Sequence, residues 1–213
     1  MDSAPVGIDH PEPTFVPVGD VAAGSGSTRS GPAGVPLGFA HSTGGAVAAS
    51  TAWLTVIEGS GVFDVTRRLA VLSAIGDQRF ATAASERIAA RLVALGLPPT
   101  GTPQFGYVAA VVRPELGAYR VLASTPDTAT VQIWYPYQLA VLEAGVQPSV
   151  AARWMRAGIT LRWDTNSQDW RLTSDLALSD GPDPGAQRPS SESRARALGP
   201  YGSGWHTYAE ARR

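Results

Sequence analysis

The sequence contains no cysteine among its 213 residues. That excludes a disulfide frame, a thiolate nucleophile and a cysteine-ligated metal site, and it fits a reducing or an oxidising compartment alike. Lysine is missing too: all 17 basic residues are arginine. A Schiff-base lysine and the lysine of a phosphate-binding P-loop are therefore excluded. Abundant Ala, Gly, Pro and Arg point to GC-rich codon usage as the plain cause. Net charge is scarce as well, at −1, which leaves no field to attract nucleic acid. No apolar run approaches the roughly 18 residues that a membrane span needs. Asp2, Asp9 and Glu12 stand where a secretory leader would be basic. The chain as it stands reads as soluble and cytoplasmic, without signal peptide or transmembrane segment.

What is present is an ordinary globular apolar fraction of 44%. A unit of about 140–150 residues buries roughly 68–70% of its unfolded surface and stands without staples. The chain is organised around residues 34–57, GVPLGFAHSTGGAVAASTAWLTVI. Pro36 and Gly38 set a turn, and Phe39 is placed to pack back on the adjoining helix as a staple. Ser42 offers the N-cap of that helix, predicted from about Thr43 to Glu58. The helix is small or apolar nearly all round, the pattern of one buried against a sheet. Gly59-Ser60-Gly61 stops it.

A second helix is expected from Asp64, its cap, to Ile75, with Leu69, Leu72 and Ile75 on one face. A third runs from about Gln78 to Leu95. Phe80, Ala84, Ile88, Leu92 and Leu95 form its apolar face, while Arg79, Glu86, Arg87 and Arg91 face out. Gly96 closes it. After Thr102 the period turns from helical to alternating. Strands are expected at Gly106–Val112, Tyr119–Ser124 and Thr128–Tyr135, the last two joined by a Thr125-Pro126-Asp127 turn. A long strand at Val150–Trp163 turns at Asp164–Ser167 and returns over Trp170–Leu178, with Trp163 and Trp170 in cross-strand contact. Three helices followed by an antiparallel meander give an α+β half-cone, with the helices in the concave face of a curved sheet.

Residues 1–33, rich in Pro, Gly and Ser, read as a disordered or loosely docked arm. Residues 34–180 form the domain, and 181–213 a polar linker with a short helical tail. Helices are expected at Ser190–Leu198 and Gly204–Ala211. Tyr201, Trp205 and Tyr208 argue that part of the tail packs on the body.

The candidate sites each carry a bland alternative. His41 is a general base or ligand at a pocket mouth, or a capping-loop histidine bonded to backbone. Asp64 is a pocket acid, or the N-cap of the second helix. Trp134 and Tyr135 line a ligand pocket, or belong to an edge strand ended by Pro136. Trp154, Arg156, Arg162, Trp170 and Arg171 form a protein interface or a stacking surface for single-stranded nucleic acid. Their alternative is a sheet with one face in the core and Arg stems covering the other. Gly24-Ser25-Gly26 lacks a preceding strand and the third glycine of a dinucleotide loop. No nucleophile elbow, HExxH pair or calcium loop is present, so no catalytic residue, cofactor or metal is implied.

The order of elements resembles the NTF2-like fold, a cone of helices wrapped by a bent sheet. The stretch PLGFAHSTGGAVAASTAWL and the later ITLRWDTNSQDWRL are similar to little-characterised actinobacterial proteins. In those, a P-x-G-x-x-x-[ST] turn precedes an Ala-rich helix. Many of them belong to conjugative or integrative elements or sit behind a membrane anchor, and these 213 residues carry no such anchor. The missing catalytic constellation and the long polar arms point to a non-catalytic protein-interaction module, and the resemblance implies an accessory protein of a mobile-element transfer system. Its partner would be another protein or a second copy of the chain. The other reading is a small-molecule-binding protein or pocket enzyme of the NTF2-like type.

Overall fold

The computed structural model describes residues 15–100, 107–142, 149–199 and 203–212. Helix α1 spans Thr43–Glu58, and the Ser42 side chain accepts the Gly45 N–H at its start. Twelve of its sixteen residues are buried, so the small residues between Val47, Trp53 and Ile57 let it be enclosed on every side. Gly45 is required at that start, because a Cβ there would lie 1.9 Å from the Ala40 carbonyl oxygen. The lead-in loop doubles back tightly over the first turn. It carries a two-stranded ribbon, β1 (Arg29–Ser30) with β2 (Pro36–Leu37). Phe39 meets Trp53 edge-on at 5.7 Å, and the Trp53 indole N–H donates to the Pro36 carbonyl at 2.8 Å.

Helix α2 spans Val65–Ile75 with Asp64 accepting the Arg67 N–H. Its buried face is Arg68, Val71, Leu72 and Ile75, whereas Leu69 is 52% exposed. The expected face is thus rotated: at about 100° per residue Leu69 falls roughly 110° from the middle of the buried stripe. Arg68 takes the inward place because its guanidinium reaches the Pro99 carbonyl at 3.0 Å. Helix α3 spans Gln78–Ala94, is capped by Asp77, and buries Phe80, Ala81, Ala84, Ile88 and Leu92. Gly96, at φ 74°, closes it. Leu95 lies just beyond the last helical residue and is half-buried.

Six antiparallel strands complete the domain: β3 (Tyr107–Val112), β4 (Ala118–Ser124), β5 (Thr128–Leu142), β6 (Ser149–Asp164), β7 (Asp169–Leu172) and β8 (Ala177–Asp180). The long β5 and β6 pair with each other along their length. β4 and β3 lie end to end along β5, and β7 and β8 end to end along β6. The expected single return strand is therefore broken into two. Nor does β5 stop as an edge strand at Pro136; it runs through the proline as a central strand. Pro136 sits at the join between β4 and β3, and its carbonyl accepts the Arg113 N–H at 3.3 Å on that side. A residue's N–H and C=O point to the same side of a strand, so the missing donor faces the gap between two edge strands. Trp163 opposes Trp170 in register, their rings 5.6 Å apart and edge-on, as expected.

The sheet's inner face supplies Val131, Ile133, Tyr135, Ala157, Ile159 and Leu161 to one core with the helices. This is the α+β half-cone expected, helices packed on a curled antiparallel sheet. A second, smaller cluster covers part of the outer face: Trp134 and Trp154 with Val16, Ala118, Ala195, Leu198 and Trp205. Helix α4 (Ser191–Leu198) opens on a reciprocal Ser190–Ser193 capping box. The stretch after Gly204, expected as helix, is extended over 205–208 and makes only a terminal 3-10 turn, Ala209–Arg212. Its backbone is claimed from two sides. His206 and Tyr119 exchange N–H···O bonds at 2.7 and 2.8 Å, while Val18 bridges Thr207 in parallel. Gly19 N–H to Thr207 O (2.8 Å), Thr207 N–H to Pro17 O (2.8 Å) and Ala209 N–H to Val21 O (2.9 Å) clasp the two ends together. Tyr201 lies outside the described residues.

Candidate functional site

Glu58, the last residue of α1, is the only charge on that helix, and its side chain is 3% exposed. A carboxylate so enclosed must be paired. Arg87 and Arg91, one turn apart on α3, do this: their Nη1 atoms donate to Oε1 and Oε2, each at 2.9 Å. The two were expected to face out; spacing of four places both on one face, and that face turns to Glu58. Arg87 Nε also donates to Asp175 Oδ2 at 2.9 Å. Arg91 donates to the Tyr137 hydroxyl, and its guanidinium carbon stands 4.9 Å from that ring's centroid. Arg153 from β6 approaches the same ring at 5.9 Å. Glu58, Arg87, Arg91, Tyr137 and Arg153 border a half-open cavity of about 240 Å³, lined also by Met155 and Leu178.

The electrostatics follow from burial. Desolvation alone would lower the pKa of Arg87, but Glu58 and Asp175 outweigh it and the pKa rises. Burial first, then the charge of Glu58, pushes the Tyr135 phenol far above its ordinary value. Burial likewise raises Tyr137, although Arg91 opposes it. The Tyr135 hydroxyl and Arg87 Nη2 are buried with no hydrogen-bond partner among the described residues.

The four pocket residues read from sequence do not meet. His41 Nε2 lies 3.0 Å from Asp127 Oδ1, and its ring stacks on Trp163 at 4.0 Å, near the tip of the β4–β5 hairpin. Asp64 caps α2. Trp134 is on the outer face, stacked on Trp154 at 3.9 Å, its indole N–H donating to Pro182 O at 3.0 Å. Tyr135 is on the inner face beside Glu58. Adjacent strand residues point to opposite faces, so Trp134 and Tyr135 cannot share a pocket.

The five interface residues also disperse. Trp154 is covered by the chain's own ends. Trp170 is buried, its N–H donating to Ala40 O at 2.9 Å. Arg171 donates to the carbonyls of Ser73, Ala74 and Gly76, capping the end of α2. Arg156 is half-buried and Arg162 exposed, both on the outer face.

One buried acid escaped the sequence reading. Asp169 is 2% exposed and accepts N–H groups of Gly38 (2.5 Å), Phe39 (3.1 Å) and Trp170 (3.0 Å), with Arg29 at 3.3 Å. It pins the lead-in turn to β7. Among the described residues no group of three or more His, Asp or Glu side chains is arranged to hold a metal. No described helix is long and apolar enough to cross a membrane. Two larger clefts each carry one acid and one base: about 320 Å³ with Arg153 and Asp183, and about 370 Å³ with Arg113 and Glu115.

No protein-family model matches the chain, and no curated protein matches its sequence. Solved structures similar to it include the intermembrane space region of the chloroplast protein ARC6, at 16% identity and TM-score 0.40, covering 62% of this chain and 96% of that one. An IcmL-like type IV secretion system protein from Legionella pneumophila is similar at 12% identity and TM-score 0.41, covering 60% and 88%. CagV of Helicobacter pylori, a VirB8 homologue of a type IV secretion system, is similar at 10% identity and TM-score 0.42, covering 62% and 98%.

Proposed function

We propose that this chain is a non-catalytic protein-interaction module and that its docking platform is the outer face of the sheet. One observation carries the reading. That face binds apolar cover already: the Trp134–Trp154 stack is overlaid by Val16, Leu198 and Trp205 of the chain's own ends. Beyond the covered part, alternation continues the face through Gln132 and Thr130 on β5 and Arg156, Thr160 and Arg162 on β6. Arg120 joins it from β4, bonded to Gln132 at 2.8 Å and lying 4.8 Å from the Trp205 ring. Tryptophan and arginine side by side are what protein interfaces enrich. The partner is a protein whose contact surface is acidic. The resemblance of residues 34–178 to proteins of conjugative and integrative elements supports a transfer-system accessory as the setting.

The test is to mix the purified chain with the products of neighbouring genes and measure complex formation by size exclusion and calorimetry. Arg162→Glu and Arg120→Glu are expected to weaken the complex at least about tenfold, as reversing a rim charge does. A chain that stays monomeric with every such product, or a complex indifferent to both variants, refutes the reading.

A further inference from the structure

We propose that residues 1–14 dock across the outer face of the sheet, Glu12 and Asp9 pairing with Arg156 and Arg162, and that this acidic arm shields the face until a partner displaces it. The first ground is unanswered charge. Arg156 and Arg162 stand on the outer face of β6, and Arg120 joins them from β4. Among the described residues none of the three forms an ion pair with a carboxylate. Arg120 is held by Gln132 and the Trp205 ring. Arg162 is exposed. Arg156 is half-buried, and its Nε is buried with no hydrogen-bond partner among the described residues, although buried donors are ordinarily satisfied. Asp164 is the next outward residue on β6, but its carboxylate already accepts from the Asn166 and Ser167 N–H groups and the Ser167 hydroxyl.

The second ground is where the arm joins the fold. Val16 is buried in the outer-face cluster with Trp134 and Trp154, so the chain before it issues from this face. Trp134 lies opposite Arg156 in register, which puts the first arginine beside the point of issue. Arg162 stands six residues further along β6, about 20 Å away. Glu12 precedes Val16 by four residues and Asp9 by seven, so extended chain carries them up to about 14 and 25 Å from it. Arg156 is thus within reach of Glu12, and Arg162 of Asp9. The third ground is complementarity: residues 1–14 hold three carboxylates, Asp2, Asp9 and Glu12, and no arginine. A single exposed ion pair is weak, but the arm is tethered, and a short tether gives an effective concentration on the order of millimolar. The proposal rests on the sheet-face reading in one respect: the arm is the occupant that the acidic partner displaces. Docking itself needs no partner.

The full chain has no cysteine, so Val6→Cys places a single nitroxide label on the arm. Paramagnetic broadening of backbone amide resonances then reports the surface the arm visits. At low salt the amides of Gln132, Gly158, Thr160 and Arg162 on the outer face are expected to broaden. Those of Leu69 and Val93, exposed on α2 and α3, stay sharp. Neutralising the arm by Asp9→Asn with Glu12→Gln, or the face by Arg162→Gln, is expected to reduce the broadening at least about twofold, and high salt does the same by screening. A hexaglutamate peptide stands in for the acidic partner. It is expected to bind the arm-neutralised chain at least about threefold more tightly than wild type, because the tethered competitor is gone. Broadening that is absent, or that survives neutralisation of Asp9 and Glu12, refutes the docking. Equal affinity of the peptide for the two chains refutes the shielding. A peptide that binds neither chain refutes the sheet-face reading and the shielding with it, while the label alone decides the docking.

Discussion

Replacing Glu58 by glutamine tests how α1 is held to α3. The substitution keeps the shape and removes the charge. Two guanidinium groups, 24% and 20% exposed, then lose their shared counter-ion. Breaking a fully buried pair costs about 3–5 kcal/mol. Here Arg87 retains Asp175 and Arg91 retains Tyr137, which sets the expectation at the lower end, about 3 kcal/mol. At roughly 2–4 °C per kcal/mol for a chain of this size, the thermal midpoint falls by about 6–12 °C. Urea unfolding followed by circular dichroism would show a lower midpoint at unchanged slope. Adding Arg91→Met to Glu58→Gln removes a cation along with the anion. It is expected to recover at least about 1 kcal/mol, a coupling typical of residues in direct contact. A loss under about 1 kcal/mol for Glu58→Gln, or no recovery in the double variant, would refute the claim that this network is buried and joins the helices.

Two adjacent glycines should respond oppositely. Gly44→Ala meets only ordinary contacts at 3.9 and 4.0 Å and is expected to stabilise by about 0.5–1 kcal/mol, whereas Gly45→Ala drives a methyl into the Ala40 carbonyl and costs about 1–3 kcal/mol. Denaturant midpoints of the two variants would separate them. Alkali gives another check: Tyr119, Tyr135, Tyr137 and Tyr208 all have pKa values raised above the ordinary 10.0 by burial. Their contribution is full below about pH 10 and is lost as pH rises beyond it, because the unfolded chain releases those protons first. Stability level to about pH 10, then falling, with the phenolate absorbance of these four tyrosines appearing only as the fold is lost, is the expected outcome. Titration of more than two of the six tyrosines while the chain stays folded would contradict it.

The bounds of α1 were legible because its limits are local: a serine that caps and a Gly-Ser-Gly that stops. The pairing of Trp163 with Trp170 was legible for the same reason, since a short turn fixes register. Leu69 was misplaced because the face of α2 is decided by Arg68 reaching a carbonyl 31 residues away, which periodicity does not see. Pro136 misled because a proline is forbidden only where its N–H side is paired, and that depends on which strands lie alongside. The candidate site was the least legible part. Its contacts join residues 29 to 46 positions apart on two helices and a strand. One trace of it was present: a lone glutamate closing an apolar helix has to find cations, and α3 offers two at a spacing of four.

The clasp between the chain's two ends has a mechanical consequence. Residues 17–21 and 207–209 run parallel and share three backbone hydrogen bonds. Tension applied between the segments that precede and follow the fold pulls these two runs past one another along their length. All three bonds then bear the load together instead of opening one after another, and the cone behind them stays unstretched until they fail.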